Sequence, residues 1–271
     1  MELPVCTRPA IPVTGSSAEI DRLVKERLAA ALSIYEVDAA LLQALQPTHI
    51  ITQTQCKVCA VSLDDVHLAL ANQLNTPAKI ISLEPYVLSD LWSNIRQVAH
   101  ECEEVEAGEK LVAELQERTN TIKKRALATE TRPSVAAIEW LDPLMAGGNW
   151  VPELIEKAGG KNLFGIAGQH SPWMSCEQLV EADPDVMIAL PCGFDLPRTR
   201  NEMIHFETQR KWKDLKAVRT GQVFICDGNQ YMNRPGPRLI DSLQIFAEIL
   251  HPEQFPPYLK GMGWEHWLSA S

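Results

Sequence analysis

The chain has 271 residues, of which 45% are hydrophobic and 22% charged, so it is long enough for two ordinary α/β units and is neither disordered nor fibrous in composition. Its 35 acidic against 25 basic residues give a formal net charge of -10, which argues against a nucleic-acid partner, because such proteins need a basic face to displace counterions from phosphates. No run approaches the roughly 18 to 20 uncharged apolar residues that cross a bilayer, so the chain is not expected to span a membrane.

In chain order, the proline-rich stretch Cys6 to Val13 is predicted extended, and Ser16, Ser17 and Glu19 then open a helix with a capping pattern that runs to about Ser33. A short helix over Asp38 to Leu45 ends at Pro47. The compact apolar run from His49 to Thr52 reads as a buried parallel strand. Helix from Ser62 to Leu74 and strand from Lys79 to Leu83 repeat the unit. From Ser89 to Leu127 the sequence favours helix throughout, interrupted only at Gly108, with Leu111, Leu115 and Ile122 spaced for one buried stripe. Alternation then resumes with a strand at Val135 to Ile138 and helices near Trp150 to Ala158 and Cys176 to Ala182. Strands at Val186 to Leu190 and Val223 to Ile225 and a terminal helix from Asp241 to Leu250 complete it. The expected fold class is therefore α/β, with two lobes of mainly parallel sheet joined by a long connecting helix. Its expected parts are an N-terminal lobe over residues 1–88, a connector over 89–130 and a C-terminal lobe over 131–271.

Loops that follow strands are where open α/β sheets bind ligands, which makes Gln53 to Ala60 a candidate site. Its Cys56 and Cys59 form a Cys-x-x-Cys pair, a spacing compatible with zinc or dithiol chemistry. No second Cys/His pair completes four ligands, so small thiols packing a loop are the competing reading. The seven cysteines are odd in number and mostly scattered, and are expected to be reduced. Gly147-Gly148 precedes a helix and would let the backbone approach a ligand, whereas Gly159-Gly160 is more simply a helix C-cap. Trp140, Trp150 and Trp173 fall beside post-strand loops, either as a flat ligand wall or as packing. No nucleophile elbow or zinc-helix motif occurs, so no catalytic residue, metal ligand or covalent cofactor is expected and the chain is not read as an enzyme.

Taken together, Ile50 to Ser62, Glu139 to Pro143, Gly147 to Trp150, His170 to Trp173, Asp227 to Asn229 and Arg234 to Arg238 resemble one family, the periplasmic substrate-binding proteins for cobalamin and iron chelates, especially cobalamin-binding-like members. The resemblance implies two lobes on a rigid helix, a cobalamin-like corrinoid or related metal chelate in the cleft, and an ABC permease as partner of a monomer. By position it implies ligand contacts from Gln55, with Cys56 in the same loop, and from Glu84, Trp140, Trp150, Trp173, Phe194 and Tyr231. Against the family pattern the chain is expected to lack the first strand and helix of the first lobe. Met1 to Pro12 carries Glu2, prolines and no apolar core of a signal peptide, so the chain as given is expected in the cytoplasm, or in the periplasm if the true start lies upstream. The rival expectation is a cytoplasmic metal-binding or thiol-redox protein using Cys56 and Cys59.

Overall fold

The computed structural model describes residues 3–30, 32–54, 78–208 and 212–267. Its N-terminal part opens with strand β1 (Thr7–Pro9), helix α1 (Ser17–Ala29) and strand β2 (Tyr35–Val37), the two strands pairing antiparallel. The expected capping box is formed: the Ser16 hydroxyl accepts from the Glu19 amide, and the Glu19 carboxylate accepts from the Ser16 amide at 2.8 Å. Two of the amides that a helix start leaves without partners are thereby satisfied. Asp38 caps α2 (Ala39–Leu45) in the same way, accepting from the Leu41 amide at 2.9 Å. Strands β3 (His49–Gln53) and β4 (Lys79–Leu83) then pair in parallel, residue for residue, but of their residues only Thr52 and Ile81 are buried and Ile51 is exposed, so the expected strand at His49 to Thr52 is parallel without being buried. The predicted helix from Ser62 to Leu74 lies outside the described residues.

The connector differs from its expectation in one respect. It is a hairpin of two helices, α3 (Leu88–Glu101) and α4 (Val105–Leu127), and the chain turns at Cys102 to Glu104, where Glu103 has a φ of 61°. Gly108 is no interruption but lies inside α4, facing α3. A Cβ there would stand 2.3 Å from the Ala99 Cβ, so the absence of a side chain is what lets the two helices approach. Arg96 and Glu109 bridge the same crossing at 2.7 Å.

The C-terminal lobe follows as β5 (Ser134–Leu141), β6 (Leu144–Ala146), α5 (Val151–Lys157), β7 (Lys161–Asn162), α6 (Cys176–Ala182), β8 (Val186–Ala189), α7 (Leu196–Phe206), α8 (Lys216–Arg219), β9 (Val223–Cys226), α9 (Leu239–Leu250) and β10 (Trp264–His266). One six-stranded sheet is built on β5. Parallel β8 and β9 and antiparallel β10 extend from one edge, while parallel β7 and antiparallel β6 share the other. Side chains alternate between two cores. Val135, Ala137, Ile188, Phe224 and Cys226 meet α4, α5 and α9, while Ala136, Ile138, Met187, Ala189 and Ile225 meet α6, α7 and α8. Burial on both faces removes the polar alternation of a half-exposed strand, which explains the unbroken apolar runs in the sequence.

Leu88, Leu91, Leu115, Ile122 and Ala126 of the helical hairpin belong to the first of these cores. The connector is thus fused to the C-terminal lobe by burial of its apolar stripe. Helix α7 and strand β10 were not anticipated; α7 starts at the Asp195 cap, whose carboxylate accepts from the Arg198 amide at 2.9 Å, and its polar outer face hid it.

Candidate ligand-binding cleft

A cavity of about 1600 Å³ opens where the strand ends of both parts meet. Ile50 to Gln53 and Leu83 line it from β3 and β4, Leu115 and Arg118 from α4, and post-strand loops of the large sheet from the far side. Its size exceeds that of an ordinary small-ligand pocket, roughly 300–1,000 Å³, and leaves room for a bulky molecule.

Of the residues expected at the ligand, three line this cavity. Trp140 meets Phe194 edge to face at a centroid distance of 5.3 Å. Trp173 is 55% exposed at the rim, with the Lys25 ammonium 5.2 Å from its ring centroid. Phe194 is only 2% exposed and lies beneath Arg198, whose guanidinium carbon is 3.7 Å from the ring centroid.

Three others point elsewhere. Trp150 is 4% exposed and donates its indole N–H to the Met232 carbonyl at 2.8 Å, so it is a core residue rather than a wall of the cleft. Apolar neighbours at Val151, Leu154 and Ile155 give it the spacing of a buried helical face, a signal that the loop reading of Trp150 passed over. Tyr231 lies in the short π-turn Gly228–Met232, but its ring packs toward Gly263 and the core while Gly228, Asn229 and Gln230 face the cavity. Glu84 is exposed beside the cleft and accepts from the Thr54 hydroxyl at 2.8 Å. Gln55, Cys56 and Cys59 lie outside the described residues.

The Gly147-Gly148 turn also serves a different end from the one expected. A Cβ on Gly148 would come within 2.4 Å of the Ser171 amide nitrogen, and the Gly148 amide donates to the Ser171 hydroxyl at 3.1 Å. The space left by the glycine is filled by the protein's own loop, not held for a ligand. Ser171 in turn donates to buried Glu139 at 2.8 Å, which locks that loop to β5. At Gly159, by contrast, a φ of 82° supplies the left-handed helix end that the sequence suggested.

One wall of the cleft was not legible in the sequence at all. The N-terminal arm, β1 to β2, reaches across to the C-terminal lobe. The Glu202 carboxylate accepts from the Ser17 hydroxyl at 2.7 Å and from its amide at 3.2 Å, Arg198 donates to the Gly15 carbonyl at 2.7 Å, and the Trp140 indole donates to the Ser17 carbonyl at 3.2 Å. Ile11, Ile20 and Ile34 close on Phe194 beneath these bonds.

The buried Asp227 carboxyl, which accepts from the Gln230 amide at 2.6 Å and so holds the π-turn, is raised above its ordinary range by loss of hydration. Among the described residues Cys6, Cys102, Cys176, Cys192 and Cys226 form no disulfide, and burial pushes the Cys226 thiol up. Among the described residues no three metal-ligating side chains converge, and no helix is long and apolar enough to cross a membrane.

The architecture is thus two-lobed α/β, with a large cleft at the strand ends closed at the back by a helical hairpin packed into one lobe. A family model described as "Periplasmic binding protein" matches residues 11–230, and the chain belongs to that family. It is similar to the vitamin B12-binding protein of Vibrio parahaemolyticus, with 26% identity over 158 residues, 58% of this chain and 54% of that protein. It is also similar to the high-affinity heme uptake system protein IsdE of Staphylococcus aureus, with 21% identity over 194 residues, 70% of this chain and 63% of that one. The chain therefore spans little more than half the length of the first of these curated relatives. Among solved structures, IsdE of S. aureus complexed with heme superposes with a TM-score of 0.66 at 18% identity, covering 80% of this chain and 81% of the other. The periplasmic vitamin B12 binding protein BtuF of Vibrio cholerae superposes at 0.60 with 19% identity, covering 80% and 79%. At such identities the superpositions show the fold.

Proposed function

We propose that this chain is the binding component of an ABC uptake system, holding a cobalamin-like corrinoid or a related metal chelate such as haem without covalent chemistry. The observation that carries the reading is the cleft of about 1600 Å³ with Trp140 and Trp173 along one wall at the ends of sheet strands. Burying a flat apolar macrocycle against such faces, at roughly 25 cal/mol per Å², supplies most of the affinity, and loop amides meet the polar rim. The division into lobes over residues 1–88 and 131–271 with a connector over 89–130 is part of the same proposal, as is action as a monomer. Membership of the periplasmic family favours the periplasm as its place of work, and a permease as the recipient of the ligand.

Titration with cyanocobalamin and with haem, followed by visible absorption and calorimetry, tests the reading. One of the two should bind at one molecule per chain with a shifted spectrum. Absence of binding by both, to a protein whose circular dichroism is that of a folded α/β chain, rejects it.

A further inference from the structure

Five lysine and arginine side chains line the described part of the cavity: Arg8, Lys25, Arg118, Arg234 and Arg238. Three are matched to acids within the protein. Arg8 pairs with Glu36 at 2.8 Å, Lys25 with Asp21 at 2.7 Å, and Arg118 with Asp241. Arg234 and Arg238 have no carboxylate partner among the described residues, although the chain as a whole carries a net charge of -10. Arg238 feels only the more distant, buried Asp227 carboxyl, and neither guanidinium sits in an ion pair among the described residues, so an acidic protein keeps a local positive potential at the lip of its cleft.

Both groups are also held in place. Arg234 donates through Nε to the Asn229 carbonyl at 2.8 Å and through Nη2 to the Asn229 side-chain oxygen at 2.9 Å. Arg238 donates through Nη1 to the Gln230 carbonyl at 3.1 Å. These acceptors belong to the π-turn whose cavity face is Gly228 to Gln230, so the turn that lines the cleft also aims the arginines. Between them Pro235 and Pro237 stiffen the loop, and no atom lies within 4 Å of where a Cβ on Gly236 would stand. Each guanidinium keeps further N–H donors, and a planar fork suits carboxylate or phosphate oxygens better than any neutral group.

We infer that the loop from Arg234 to Arg238 is an anion-recognition rim, and that the ligand is an apolar macrocycle bearing a carboxylate or phosphate. The inference rests on the cleft reading above and narrows it. A free tetrapyrrole carboxylate and the phosphodiester of a complete corrinoid share this chemistry, and two pairs of probes separate them. Ferric protoporphyrin is compared with its dimethyl ester, and cyanocobalamin with dicyanocobinamide, which lacks the phosphodiester.

In whichever pair binds, the acidic member should bind at least tenfold tighter at low salt, and the advantage should shrink in 1 M salt. The double variant R234Q/R238Q, with circular dichroism and melting as in the parent, should lose the preference, its affinity for the acidic member falling at least tenfold more than its affinity for the neutral one. Equal affinity within a binding pair, or a preference that survives in R234Q/R238Q, overturns the rim while leaving the cleft reading intact. If no probe of either pair binds, the cleft reading fails and the rim falls with it.

Discussion

Trp150 and Trp173 both stand beside post-strand loops, yet one is sealed in the core with its N–H bonded to a backbone carbonyl and the other lies open at the cleft rim. Their alanine variants should therefore separate binding from folding. Trp173→Ala should weaken ligand binding by about tenfold, ~1.4 kcal/mol, in calorimetry with little change in melting. Trp150→Ala should lower stability by about 3–5 kcal/mol in urea unfolding, because it leaves a large cavity and an unpaired carbonyl. Loss of affinity without loss of stability in the Trp150 variant would move that residue back to the ligand.

Two further side chains give stability a pH dependence. The Lys216 ammonium, 2.6 Å away, with help from the Ser134 amide and hydroxyl, lowers Asp185 from 3.8 to about 2. A depressed carboxylate contributes stability above its unfolded value, and that contribution is lost as pH falls from about 3.8 through about 2. His251, 4% exposed, is held below its ordinary value of 6.5 by burial, so its charged form is disfavoured and stability begins to decline as pH drops below 6.5. Urea midpoints measured from pH 7 to pH 2 should fall in both windows. Asp185→Asn should flatten the lower window alone.

At the scale of elements, the arm and the helical hairpin each contain a close contact that can be tested by itself. Glu202 gathers the Ser17 amide and hydroxyl, and its removal leaves buried Ser17 without that acceptor. Glu202→Ala should raise the rate of limited proteolysis within residues 11–34 severalfold while the C-terminal sheet stays protected; Glu202→Gln, which keeps an acceptor, should restore part of the protection. Unchanged cleavage in Glu202→Ala would mean that the Arg198 and Trp140 bonds and the isoleucine contacts hold the arm without it. In the hairpin, Gly108→Val forces a branched side chain into the space occupied by Ala99 and should lower the melting temperature by several degrees in a thermal scan, whereas the exposed neighbour Glu106→Ala should not.

For the whole molecule, the helix that would join two moving bodies is buried in the core of one of them. Leu115, Ile122 and Ala126 of α4 pack with α5 and α9, and the Glu153 carboxylate at the start of α5 accepts from the Leu88 amide at 2.9 Å. A connector fixed to one lobe from Leu88 to Ala126 leaves only the short stretch between Leu83 and Leu88 to bend, which favours small tilts over wide hinge closure. Small-angle scattering should accordingly show little change in radius of gyration on addition of a bound ligand, and a large compaction would mean that this stretch bends widely or the hairpin opens.

Much of this fold is legible in the sequence because helix starts and strands are decided by neighbours a few positions away. Ser16 with Glu19, Asp38 with Leu41, and the apolar runs at β3, β4, β8 and β9 all act over that range. The position of a cleft at the ends of those strands follows from the α/β alternation itself. Which side chains face the cleft was decided elsewhere. Trp150 turns inward for a carbonyl 82 residues away, Ser17 is held by a carboxylate 185 residues away, and Trp173 stays open beside Lys25 of an arm whose crossing no local pattern announces. Arg234 and Arg238 are near their acceptors in sequence, yet their meaning depends on the pairing of the other cations around the cavity. Local propensity sets where elements begin and end, whereas facing is set by contacts that exist only once distant segments are packed together.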